Sequence, residues 1–256
     1  MKLKKIVLVT VLYGLLAIFP ACSEPTNEIV PPAPDENDPP KREAQWVLDF
    51  EDNFDGDKLT SGVWSPYNTP GHVGNGLRRS EAFTVKDGLL VVTAKNNAEG
   101  LIVSGGMRHN TEYLYGKFEF RVKADRDPAG IMSAVVLTWP STEKWPEDGE
   151  LDIFETGPGI DRNNFYTVIH YDKTNKQLQY EHKITGQEWR IMAMEWTPDY
   201  IYIYRDGQKV FEVTNPAAIP RIAHHICIQL DASKNGQLLP ETKMYVDWVR
   251  IYRYQE

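Results

Sequence analysis

The chain has 256 residues, a net charge of −8, 41% hydrophobic and 11% aromatic residues, and two cysteines. That length suits one large β-rich domain, and a charged fraction of 25% with ordinary apolar content excludes a disordered chain. With 36 acidic against 28 basic residues, the charge gives no basis for binding a polyanion, which argues against a nucleic-acid partner.

The first residues read as a targeting segment. Lys2, Lys4 and Lys5 precede the apolar run Ile6–Phe19, which ends in Pro20-Ala21-Cys22. A basic start, a short apolar stretch and a small residue before the break describe a secretory signal over residues 1–21. The run is too short for a membrane span, which takes about 20 apolar residues. Cys22 at the break resembles the lipidation site of a bacterial lipoprotein, which would tie the protein to a membrane of the cell envelope. The alternative is plain secretion, with Cys22 a spare thiol. Loss of Lys2, Lys4 and Lys5 with no acid takes the net charge from −8 to −11.

Residues 22–44 then read as a tether. Pro25, Pro31, Pro32, Pro34, Pro39 and Pro40 alternate with Glu24, Glu28, Asp35, Glu36 and Asp38, a composition that keeps the backbone extended and solvated. With Cys22 used, Cys227 in the apolar run Ile226–Leu230 has no disulfide partner and is expected as a buried thiol.

From residue 45 to 256 the chain reads as strands. Leu89–Lys95, Gly116–Lys123, Ile131–Trp139, Tyr166–Tyr171, Ile191–Trp196, Tyr200–Arg205, Lys209–Thr214 and Met244–Tyr254 are alternating, β-branched or aromatic. Asp87-Gly88 and Asp206-Gly207 sit between such runs and predict tight hairpins, since that turn needs positive φ. No long window has helical periodicity. An all-β, antiparallel sandwich is expected.

The chemistry concentrates between Trp139 and Glu155. If Gly149–Glu155 is a strand, alternation puts Glu150 and Asp152 on one face and Leu151 and Ile153 on the other. Strict parity would then turn Glu155 inward and Phe154 outward. A one-residue bulge after Asp152 restores Glu155 to the face of Glu150 and Asp152. Three carboxylates in such a row repel, so one should keep its proton near neutral pH. A carboxyl pair with separated proton affinities is what glycosidic cleavage requires, one ionised to attack the anomeric carbon and one protonated for the leaving oxygen. Calcium binding or a solvated strand face would use the same residues. Trp139 and Trp145, just upstream, favour the catalytic reading because sugars stack on indole rings.

Gly149-Glu150-Leu151-Asp152-Ile153-Phe154-Glu155 resembles the E-x-D-x-x-E signature of glycoside hydrolase family 16 in its bulged, laminarinase-like form. Phe50–Gly56 is similar to the family's opening strand. Arg79-Ser80-Glu81 with Val85–Leu89, and Ser104–Lys123, are similar to its early segments, and Met194–Gly207 and Met244–Tyr252 to two later strands. The resemblance implies a β-jelly roll of the concanavalin A type with a substrate cleft across its concave sheet, in a monomer. It makes Glu150 the nucleophile, Glu155 the acid/base and Asp152 the carboxylate between them. Trp139 and Trp145 become subsite aromatics, His170 a neighbour of the acid/base, and Arg79 and Glu81 substrate contacts. No cofactor is implied for catalysis. Many relatives bind a structural calcium through an opening D-E-F. This chain has Asp52-Asn53-Phe54, with Asp247 as a further ligand, so the ion is doubtful. The activity expected is retaining endo-hydrolysis of β-1,3- or mixed-linkage glucan. Endo-β-galactosidase action on algal galactans or mucin O-glycans, and a non-catalytic glycan-binding lipoprotein, are the alternatives.

Overall fold

The computed structural model describes residues 44–255. The expected signal segment, Cys22 and all but the last residue of the tether lie outside the described residues. Sixteen strands follow in order: β1 Gln45–Asp52, β2 Trp64–Pro66, β3 Leu77–Arg78, β4 Phe83–Lys86, β5 Leu89–Asn96, β6 Ile102–His109, β7 Gly116–Ala124 and β8 Met132–Pro140. Then come β9 Glu150–Glu155, β10 Phe165–Tyr171, β11 Lys176–His182, β12 Arg190–Trp196, β13 Ile201–Arg205, β14 Gln208–Val213, β15 His224–Ala232 and β16 Thr242–Gln255. Among the described residues the helical segments are three short 3-10 turns.

These strands roll into an all-β jelly roll. One layer runs β11-β10-β9-β8-β15-β6 and the other β5-β16-β7-β12-β13-β14, joined where β5 pairs with β6. Both aspartate–glycine pairs close hairpins with positive φ at each residue: 55° and 72° at Asp87 and Gly88, 51° and 80° at Asp206 and Gly207. The layers meet in one apolar core that includes Leu151, Phe154 and Ile169 from the first and Phe120, Met194 and Ile251 from the second, all fully buried. Burial of each such side chain contributes about 1.5–3 kcal/mol.

Several strands were not among those expected. β11 (KQLQYEH) is an edge strand with mostly polar residues, so its composition hides it. β6 carries Gly105 and Gly106, residues that normally weaken strands. Here a Cβ on Gly106 would lie 2.8 Å from Tyr67 and 3.1 Å from Arg78, so the missing side chain is what lets those two groups lie over the strand. β15 (HHICIQLDA) is buried along its whole length although half of it is polar.

The carboxylates proposed for a structural calcium are engaged by protein donors. Asp52 accepts from Trp64 Nε1 and Phe54 N, both at 2.9 Å, and from Thr60 Oγ1 at 3.3 Å. Asp247 forms an ion pair with Arg121. That environment does not fit a calcium ligand set, which needs open oxygens converging on one point.

Candidate active site

β9 contains the bulge. Asp152 pairs with Leu137 of β8 and Phe154 with Val136, so Ile153 is one residue too many for its neighbour. The β10 side agrees, with Asp152 opposite Val168 and Glu155 opposite Tyr166. Ile153 and Phe154 therefore both enter the core, at 0% exposure, while Glu150, Asp152 and Glu155 line a single cleft of about 640 Å³. Two consecutive large apolar side chains bury more surface than either parity of a regular strand would allow, which is the force that holds the bulge.

His170 on β10 pairs with Glu150, and its Nε2 lies 3.2 Å from Asp152 Oδ2. Ligand atoms of Glu150, Asp152 and His170 all fall within 4.8 Å of one another. His170 Nδ1 is 2.8 Å from Asn175 Oδ1, which fixes the ring plane. Trp145 Nε1 donates to Glu150 Oε2 at 2.5 Å, and Trp139 Nε1 donates to Glu143 Oε2 at 2.7 Å. The two indole rings are nearly parallel, 9° apart with centroids at 6.4 Å. Trp139, Trp145 and His170 all line the cleft, and each indole also holds a carboxylate, Glu143 or Glu150.

Arg79 and Glu81 are elsewhere. Arg79 turns its guanidinium to the carbonyls of Thr69 and Arg78, and Glu81 is exposed in the turn Ser80–Ala82. Neither lines the cleft; of the adjacent arginines Arg78 does, because backbone alternation turns the two neighbours to opposite sides. Arg78 meets Asp231 through Nε at 3.0 Å and Nη2 at 2.5 Å, and its guanidinium lies 5.5 Å from the centre of the Tyr67 ring. Tyr67 OH is 3.2 Å from the Cys227 thiol, which is free and buried as expected. Burial pushes that thiol up to about 12, so it stays neutral. Tyr67, Arg78, Arg108, Gln229 and Asp231 were missed because they come from four separate segments that only strand pairing unites.

All three carboxyls are held above their ordinary range. Burial is the largest cause for each; the Asp152 charge then adds to the effect on Glu150, and the Glu155 charge to that on Asp152. His170 and the Trp145 hydrogen bond act in the opposite direction on Glu150. Loss of the indole donor therefore makes the Glu150 carboxylate harder to form. In Trp145→Phe the acidic limb of the kcat/KM profile is expected to move to higher pH, read from hydrolysis rates across the pH range.

The same shifts make a stability prediction. A carboxyl whose pKa is raised on folding favours the folded state at low pH, and this contribution is lost as pH rises through the folded value. At pH 7 the cluster is strained by its own charge. Asp152→Asn should therefore raise Tm at pH 7 by about 2–4 °C, the shift that roughly 1 kcal/mol gives in a chain of this size, and this gain should shrink at pH 4. A thermal melt at the two pH values checks it; a lower Tm at pH 7 would contradict the charge argument.

A jelly roll whose cleft sets paired glutamates and an aspartate along one strand, beside stacked indoles, is the architecture of a glycoside hydrolase. The chain belongs to the glycosyl hydrolases family 16, whose family model matches residues 75–250. It is 28% identical over 212 residues to an endo-1,3-1,4-beta-glycanase, ExoK, of Rhizobium meliloti, covering 81% of this chain and 74% of that protein. It is also 28% identical over 164 residues to a beta-glucanase of Acetivibrio thermocellus, where the match spans 63% of this chain and 47% of the relative. The laminarinase structure from Rhodothermus marinus superposes with a TM-score of 0.71 at 20% identity, over 84% of this chain and all (100%) of that one.

Proposed function

We propose that this glycoside hydrolase is a retaining endo-β-glycanase that cleaves β-1,3- or mixed-linkage β-1,3/1,4-glucan. The observation that carries the reading is the bulged β9, with Glu150, Asp152 and Glu155 on one cleft wall. The named activities of the ExoK and Acetivibrio relatives support the glucan assignment.

Glu150 is the nucleophile. Its carboxylate attacks the anomeric carbon while Glu155, protonated because it is buried, gives its proton to the departing glycosidic oxygen. The glycosyl group is then esterified to Glu150. Glu155, now ionised, takes a proton from water, and that oxygen attacks the same carbon, releases Glu150 and restores the starting anomer. Asp152 lies between them, 3.2 Å from His170 Nε2, and its carboxyl tunes the charge of the Glu150 carboxylate beside it.

Incubation with laminarin, lichenan, agarose, porphyran, carrageenan and mucin glycans, with product sizing, tests the substrate. Mid-sized products from laminarin or lichenan are expected, and cleavage of only a galactan would replace the glucan reading. Proton NMR of the first-formed reducing ends should show the β-anomer. The protein is further proposed to sit on the cell envelope through a lipid on Cys22. Cys22→Ala should release it in soluble form and remove the mass of the lipid, and an unchanged location would refute the anchor.

A further inference from the structure

Strand pairing lays out the floor of the cleft as rows. Asp152 pairs with Leu137, Leu137 with Cys227, and Cys227 with Arg108 on β6. The next row runs from Glu155 through Val135 and Gln229 to Gly106. At about 4.8 Å per strand, Arg108 stands roughly 14 Å from Asp152. It is outside the reacting centre but in the same cleft.

The charges at this end do not balance. Arg78 is matched by Asp231, and the cleft carboxylate Glu143 is held by the Trp139 indole. Arg108 is half-buried and, among the described residues, has no ion pair or hydrogen bond through its guanidinium. Two polar side chains on the adjoining β15 are also unmatched. Among the described residues, Gln229, 8% exposed, has no partner for its amide, and His225, 1% exposed, has none for Nδ1. Burial and the Arg108 charge keep His225 neutral, pushed down to about 4, so it does not compete for an anion as a second cation would, nor oppose Arg108. His225 Nδ1 is buried without a partner, and the polar ends of Arg108 and Gln229 face the cleft, so a ligand there would complete the set.

We propose that Arg108, with Gln229 beside it, forms a subsite for an anionic substituent, a sulfate ester or a carboxylate, carried on the glycan away from the bond that is cleaved. The guanidinium fork matches two oxygens of either group in a charge-assisted pair. The Gln229 amide donates to the same group or to the ring hydroxyl next to it. Arg78 cannot serve in this way, since Asp231 already fills its fork. The proposal rests on the glycan-cleaving reading of the cleft and adds to it a preference for chains that carry such a group.

The test uses the full chain carrying Glu150→Gln, so that polymers bind without being cut. Affinities are measured for laminarin, sulfated laminarin and carboxymethyl-curdlan, then repeated in E150Q/R108Q and E150Q/R108K. At least one charged polymer should bind more tightly than laminarin, and the better of the two identifies the anion. R108Q should lower the charged-to-neutral affinity ratio about tenfold, and R108K, which keeps the charge but not the fork, should recover part of it. A ratio that R108Q leaves unchanged, or charged polymers that bind no better than laminarin, would overturn the subsite. Should no β-glucan bind or be hydrolysed by the unsubstituted chain, the glucan reading fails separately. The same ratio measured with carrageenan against agarose then decides Arg108 alone.

Discussion

Glu150→Gln is expected to lower hydrolysis of the preferred polysaccharide by about four orders of magnitude or more while oligosaccharide binding survives. The substitution keeps the shape and the Trp145 contact, since an amide oxygen can still accept from the indole at Oε2. What it removes is the electron pair that forms the glycosyl ester, and groups that act as a covalent unit lose nearly everything when one is deleted. Binding persists because the stacked indoles, Tyr67 and the Arg78–Asp231 pair are untouched. At pH 7 the variant should be at least as thermostable as the unsubstituted chain, because a buried charge next to Asp152 has gone. Product sizing and calorimetric titration with an oligosaccharide read the two halves. Hydrolysis at an unchanged rate on every substrate would remove Glu150 from the mechanism.

Glu155→Ala is expected to cost about 10²- to 10⁴-fold on polysaccharide, the usual contribution of a positioned acid. The loss should depend on the leaving group. An aryl glycoside departs without protonation, so its first step should change little and the glycosyl-enzyme should accumulate as a burst. Azide, which needs no general base, should then restore turnover and give a β-glycosyl azide. In the unsubstituted chain, burial holds Glu155 protonated to a higher pH than an ordinary glutamate, with His170 and His72 pulling the other way. Activity therefore falls on the alkaline side as Glu155 ionises, and that limb should be absent from the azide-rescued variant. Equal losses on aryl and polymeric substrates, with no rescue, would assign Glu155 another role.

Much of this site could be read along one strand. Glu150, Asp152 and Glu155 fall within six residues, and the conflict between their parity and that of Ile153 and Phe154 has one local remedy, the bulge seen in the pairing of β9. Trp139, Trp145 and His170 are near enough in the chain to be found by the same means. Arg79 and Glu81 show the limit. Which of two adjacent arginines enters the cleft depends on the side that Gly106 leaves open, and no pattern in residues 78–81 records that.

The sequence by itself therefore determined the all-β class, the aspartate–glycine hairpins, the carboxylate strand and its bulge, because each follows from side-chain alternation and backbone φ within a few residues. Only the tertiary structure decided the rest of the cleft: Arg78 against Asp231, Tyr67 over Cys227, and Arg108 with no counter-charge among the described residues. Those contacts join positions up to 160 residues apart, through β15, whose polar residues look unremarkable until its other face is covered by the core.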